Sequence, residues 1–545
     1  MSGSFRISLK KSFLFLFILG VIAFSCKKDT PAAHVDKTTT TTTTTTTQSG
    51  TPNLNDTVFN YAKLWYYWNE NIPKTFNYNG YTLYIASADS SPLVQAITLY
   101  SPLNPVNNLH YDHFSFLLTE AQYNQIFNGT GGGTSFGMNF SQDRNGNYRV
   151  SYVAHGSPAY SQGVRRGWQL NSINGIPLTN PLSTAALNAL NNILSTFNAA
   201  TFIFTSPGVS SPVTLQISAG SFNDDEVIAS TTVQSGSKII GYIAYNSFVT
   251  PTDKRGNPIH PGLDTAFASL KAKGITDLIV DLRYNGGGYT EVSEEMDNAI
   301  LPQSTNGQIL YKEYWDDSLN YYHNQFPGYG IPADTTIYIN KSKSTNPPGL
   351  SLNNVVFIVS NETVSASELT INNLKPYFPN MKLVGLGKSF PSNQQNTAGK
   401  PFGFINYSFP LPTANSTPDY ELFLINFETK NALGQDNYIS GFVPDVQEYD
   451  GLEYNWGDPN EDGYKAAFNY LTKGSFALGN SNNSLALGRN GVSSLGSNQN
   501  IRLEASGMHF KGMLHSTMRS KIQKSIGRNL QKAQLSTKLS GKPLK

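Results

Sequence analysis

Two nearly uninterrupted apolar runs constrain this chain more than any other feature: Leu278-Ile279-Val280-Asp281-Leu282 and Val355-Val356-Phe357-Ile358-Val359. Short runs this rich in β-branched residues read as strands buried on both faces. From Phe222 to about Lys473, runs of this kind alternate with helix-like segments. Lys238 to Ile243 reads as a strand and Leu263 to Lys273 as a helix. Such alternation is the pattern of an α/β core. With 545 residues, the chain has room for further domains around that core.

The two ends of the chain are of a different kind. Arg6, Lys10 and Lys11 precede an apolar stretch from Phe13 to Phe24, too short to span a bilayer as a helix. It stops at Cys26, the single cysteine, so no intramolecular disulfide can form. This placement resembles a bacterial lipoprotein signal over residues 1–26. It implies lipidation of Cys26 and a cell-envelope location, anchored to the outer membrane or facing the periplasm. A plain secretory leader with an incidental cysteine is the alternative. Residues 27–52 contain an unbroken threonine run, Thr38 to Thr47, and read as a flexible tether.

The net charge of +2 conceals an asymmetry. From Ser475 onward there are 11 Lys/Arg and one acid, a balance of +10, which leaves the preceding residues at −8. The basic tail, 475–545, lacks interleaved aromatics, so nucleic acid is not an expected partner. Met518, Ile522, Ile526 and Leu530 recur every fourth residue, a pattern open to an amphipathic helix or to an unstructured tail.

Between tether and core lie two more regions. Val58 to Asn71 has aromatic and aliphatic residues at helical spacing, and 53–127 reads as a helical N-terminal region. His113 within it is a structural residue or, less simply, a base. Residues 128–220 resemble a PDZ domain. The resemblance rests on Ser135-Phe136-Gly137-Met138-Asn139-Phe140, on Gly156-Ser157-Pro158-Ala159, and on Gly167 and Gly175 as turn residues flanking a strand from Gln169 to Ile173. It implies that a peptide C-terminus is held by backbone N–H groups of Phe136-Gly137-Met138 while the peptide adds a strand to the sheet edge. A β-rich module with a purely structural role is the other reading.

Two segments carry the chemistry, each after a buried strand. In Asp281-Leu282-Arg283-Tyr284-Asn285-Gly286-Gly287-Gly288 the glycines let the backbone turn sharply and present N–H groups. The lysine and Ser/Thr of a phosphate loop are missing. In Asn361-Glu362-Thr363-Val364-Ser365-Ala366-Ser367-Glu368 a strand runs into a turn and a helix start, where unpaired N–H groups favour developing negative charge. Ser365 and Glu368 also have the spacing of a plain capping box.

Taken together and in this order, the segments resemble the carboxyl-terminal processing (tail-specific) proteases of peptidase family S41, over roughly Asn53 to Lys473. Gly441-Phe442-Val443-Pro444-Asp445 and Gly457-Asp458-Pro459 agree with that resemblance. It implies a multidomain α/β (α+β) protein, with a core at 221–474 of the S41 type, related to ClpP and crotonase folds. It implies a serine endopeptidase with Ser365 as nucleophile and a lysine as base. Ala366 and Gly286 or Gly287 would supply the oxyanion N–H groups.

Two Gly-Lys pairs follow the serine helix. Lys388 lies 23 residues after Ser365; Lys400 lies 35 residues after it, beyond a polar insertion from Ser389 to Ala398. Lys400 is preferred, because Gly399-Lys400-Pro401-Phe402-Gly403 opens an aromatic strand and an insertion can loop out at little entropic cost. Some family members carry a glutamine four residues after the lysine; here that position is Phe404. The expected partners are unfolded or C-terminally exposed proteins, and the membrane through the lipid anchor. No His/Cys cluster suggests zinc, and Asp458 to Gly463 opens like a calcium loop but has Asn469 at the twelfth position, so no cofactor is expected. The competing readings are a non-catalytic envelope lipoprotein that binds peptides or glycans on the same scaffold, and a Ser–His hydrolase using His110, His155, His260 or His323.

Overall fold

A computed structural model of the chain describes residues 54–85, 90–105, 108–120, 122–123, 135–222, 225–248, 261–317, 334–342, 349–387, 399–409, 420–476, 503–504 and 512–514. Cys26, the threonine run, Lys388, the insertion after it, His260, His323 and the Met518 to Leu530 stretch lie outside these residues.

The core is a six-stranded sheet. Its strands are β1 (Val227–Ser235), β2 (Lys238–Tyr245), β3 (Asp277–Asp281), β4 (Asn354–Ser360), β5 (Lys382–Leu386) and β6 (Val446–Glu448), in the order β6-β5-β4-β3-β2-β1. Only the β1–β2 hairpin is antiparallel. Parallel neighbours need long crossovers, and helices α1 (Pro261–Ala272), α2 (Thr290–Ile300) and α3 (Ala366–Leu374) lie in them. A fourth helix, α4 (Asp462–Lys473), follows β6. Side-chain alternation explains the continuous apolar runs. Leu278, Val280, Val355, Phe357 and Val359 face one buried cluster, while Ile279, Val356 and Ile358 face another that includes Tyr464, Ala467 and Leu471 of α4. Both faces are buried, so no polar alternation survives in the sequence.

A second sheet is built on the long strand Tyr420–Asn431, which pairs with Phe402–Phe409, Ile309–Trp315 and Phe116–Thr119. The N-terminal helix spans Leu54–Trp65 and buries Val58, Tyr61 and Ala62 in a cluster with Leu422 and Leu424 of that strand. The N-terminal region is therefore not purely helical: Phe116–Thr119 joins the sheet as a strand, a run of four residues too short to show a period.

Residues 135–220 form a third, antiparallel sheet, with helices Pro158–Ser161 and Thr184–Thr196. Its strand Gln169–Ile173 lies between Gly167 and Gly175, both in left-handed backbone. Two short segments of the C-terminal tail also pair with the body. Leu503–Glu504 adds to Met138–Gln142, and Gly512–Leu514 adds to Gly287–Tyr289. Among the described residues no helix is long and apolar enough to cross a membrane.

Candidate active site

β4 ends at Ser360 and the chain turns through Thr363 into α3, with Ser365 as the residue before the helix. Thr363 fixes the turn by donating to Leu282 O at 2.7 Å and accepting from Ser360 N at 2.9 Å. Ser365 is fully buried and has φ +63°, a region that a non-glycine residue rarely occupies. Such strain marks a site that the surrounding structure holds in place. Its hydroxyl Oγ has no hydrogen-bond partner among the described residues, whereas its N–H donates to Glu368 at 2.8 Å. Glu368 thus does more than cap the helix. Its carboxylate also accepts from Gly399 N at 2.9 Å and Lys400 N at 3.1 Å, so one buried anion ties the serine turn to the lysine segment.

Lys400 is 1% exposed. Its Nζ lies 4.1 Å from the centre of the Phe404 ring and 4.7 Å from that of Phe114. Burial pushes its pKa down to about 7, against the opposing pull of Asp112 and Glu368. Phe404, four residues after the lysine, offers it a ring face. Gly399 has φ +70°, and a Cβ there would stand 2.3 Å from Gly441 N and Ile439 O. That close approach packs the Gly-x-x-Pro-Asp segment directly against the lysine turn.

The glycine loop meets the serine turn through Asn285. Its carbonyl accepts from Val364 N at 3.2 Å and from Ser367 Oγ at 3.1 Å. Its side chain donates to Tyr245 O at 3.1 Å and accepts from Gly287 N at 2.9 Å. Of the two expected oxyanion donors, Gly287 already has an internal acceptor, which leaves Gly286.

Upstream, the loop is anchored by buried charge. Arg283 is fully enclosed and reaches Asp281 at 2.6 Å, Asp450 at 2.8 Å and Glu461 at 2.8 Å. Arg166, from the 135–220 module, joins the cluster at Asp450 (2.5 Å), and Tyr284 donates to the same carboxylate. Burial would raise the Asp450 pKa, but Arg166 and Arg283 outweigh it and hold it at about 2. Glu461 accepts from Tyr464 N as the cap of α4, and Asp462 pairs with Arg144, so these carboxylates of the possible calcium loop already have partners.

The described candidate histidines each have a partner of their own. His113 is exposed and contacts His110 O at 3.2 Å, His110 contacts Ser101 O at 2.6 Å, and His155 pairs with Asp225 at 3.0 Å. In the 135–220 module, Phe136 and Met138 are core residues and Gly137 has φ +77°. A Cβ at Gly137 would stand 2.0 Å from that of Ser157. Glu368, Asp112 and Arg283 are the site residues that sequence reasoning missed. Glu368 was visible only as a capping residue, and Asp112 only as a neighbour of His113.

Residues 239–393, which hold the glycine loop and Ser365 but not Lys400, match the model of peptidase family S41. A protein of Bacteroides fragilis described as an S41 protease aligns over 78% of this chain and 98% of its own, at 20% identity and a TM-score of 0.56. At that identity the likeness is one of fold. A photosystem II D1 C-terminal processing protease aligns over 76% and 96%, at 17% identity and a TM-score of 0.40. No curated protein matches the chain.

Proposed function

From the premise that the core of this chain is a peptidase family S41 domain, we propose that it is a serine endopeptidase working through Ser365 and Lys400. What supports the reading most is the shared carboxylate of Glu368, which joins the strained serine turn to a buried lysine with a pKa of about 7. A neutral amine can take the Ser365 proton as Oγ attacks the scissile carbonyl, then return it to the leaving amine. Ala366 N–H, at the first turn of α3, and Gly286 N–H would receive the oxyanion. Water then releases the acyl-enzyme with the same lysine as base. Lys400 is taken as the base because it is buried and tied to the serine turn.

The 135–220 module is proposed to recognise an exposed peptide, with Phe136-Gly137-Met138 at the entry to the strand edge Met138–Gln142. Cys26 is proposed as the lipid anchor in the cell envelope, with exported, unfolded or C-terminally exposed proteins as substrates. A fluorophosphonate probe tests the chemistry. The full chain is expected to be labelled and to hydrolyse carboxymethylated casein, while Ser365→Ala loses both. Equal labelling of the two chains would remove Ser365 from the mechanism and favour a binding protein on a peptidase scaffold.

A further inference from the structure

The closed state of the site points to its occupant. Ser365 is fully buried and Lys400 is 1% exposed, so a substrate chain has no access until something moves aside. Beside them runs a piece of this same chain. Gly512–Leu514 pairs in parallel with Gly287–Tyr289, the strand that continues the glycine loop, and Leu514 pairs with Phe404 in the strand after Lys400. The segment also lies along α3, the helix that Ser365 opens. An extended backbone held between the oxyanion loop and the lysine segment is the posture a peptide adopts for attack.

The same tail engages the second peptide-binding edge. Leu503–Glu504 pairs antiparallel with Met138–Gln142, in the register Leu503 to Phe140 and Glu504 to Asn139. It runs beside the helix Thr184–Thr196, so it fills the position where an added strand would sit. Eight residue steps separate Glu504 from Gly512, a reach of at most roughly 29 Å, so one continuous tail serves both places. Pairings two or three residues long are marginal alone. Tethering raises their effective concentration to the millimolar range, and a tail of +10 against a body of −8 adds long-range attraction.

We propose that the C-terminal segment is an intramolecular ligand of this chain. In this reading Leu503–Glu504 occupies the edge of the 135–220 module and Gly512–Leu514 occupies the cleft beside Ser365, holding the full chain in an inhibited state until the tail is displaced. The inhibitory part rests on the peptidase reading above; the docking part does not.

The test uses the full chain carrying Leu503→Pro and Met513→Pro together, since proline cannot donate in a strand pairing. Amide hydrogen exchange over 138–142 and at Gly288 is expected to quicken about tenfold (Gly287 N and Tyr289 N already donate to Asn285 and Phe248), and fluorophosphonate labelling and casein turnover to rise about tenfold, as an intramolecular competitor is lost. A synthetic peptide of residues 500–516 added at millimolar concentration is expected to reverse the gain in labelling. Unchanged exchange at both strands overturns the proposal, whatever labelling does, and so does a peptide without effect on a labelled variant. Faster exchange with no labelling of either chain keeps the docking and discards the peptidase. Should the variant misfold, the wild-type chain decides: amides of 503–504 and 512–514 exchanging as fast as free peptide overturn the proposal.

Discussion

Arg283 and Lys400 are both buried cations, at 2% and 1% exposure, and their surroundings treat charge in opposite ways. Arg283 is met by three carboxylates and shares one of them with a second arginine. Lys400 points at two phenylalanine rings, and the anions nearest it in effect, Asp112 and Glu368, are already bound to backbone amides. Burial disfavours the charged form in both places. The carboxylates reverse that around Arg283, raising its pKa well above normal, whereas around Lys400 desolvation wins. One buried cation is kept charged to hold a loop in place; the other is pushed towards the neutral amine that the proposed base requires.

The comparison breaks most sharply on removal of each cation. Lys400→Met is expected to cut turnover by roughly 10²–10⁴-fold, the span for loss of a general base. Its melting temperature at pH 6 should not fall, because a charge that the fold disfavours has been removed. Arg283→Met is expected to cost about 3–5 kcal/mol in urea unfolding, since Asp281 and Glu461 are left as uncompensated buried anions. A Lys400→Met chain destabilised as much as Arg283→Met would show that Lys400 is a structural ion pair.

Changing pH sharpens the contrast. The Lys400 pKa of about 7 lies below its ordinary 10.5, so between those values the unfolded chain binds more protons than the folded one. Stability therefore rises with pH across that window and is lowest below pH 7. Activity should follow the neutral amine, with kcat/KM rising through about pH 7 and levelling above it. Asp450 behaves conversely: its contribution is complete above about pH 4 and is lost as pH falls through 2. A kcat/KM profile flat from pH 6 to 9 would remove Lys400 as the base.

The smallest effect expected is a displacement of that profile. Asp112 raises the Lys400 pKa, so Asp112→Asn should move the rising limb to lower pH. A shift to higher pH would mean that Asp112 acts on the site through its hydrogen bonds to Phe114 and Ser115 instead of through its charge.

Local pattern carried the core a long way. The runs at Leu278 and Val355 lie in strands Asp277–Asp281 and Asn354–Ser360, and the helix expected from Leu263 to Lys273 spans Pro261–Ala272. Burial on both faces leaves an unbroken apolar run, which is a property of neighbouring residues and can be read directly. The serine turn and the glycine loop were visible for the same reason, since each is a short motif after such a strand.

Tertiary structure decided what depends on distant residues. Nothing within Gly399-Lys400-Pro401 says that Asp112, Phe114 and Glu368 share its surroundings, yet a lysine's pKa is set by its surroundings and not by its neighbours in sequence. Glu368 followed the letter of a capping box, and only the fold revealed its second pair of donors at Gly399 and Lys400. Residues 503–504 and 512–514 gave no periodicity that would place them, because these strands are short and take their order from edges supplied by the body. Secondary structure follows from local sequence where burial is uniform; ionisation and strand partners are fixed only when the chain has brought remote groups together.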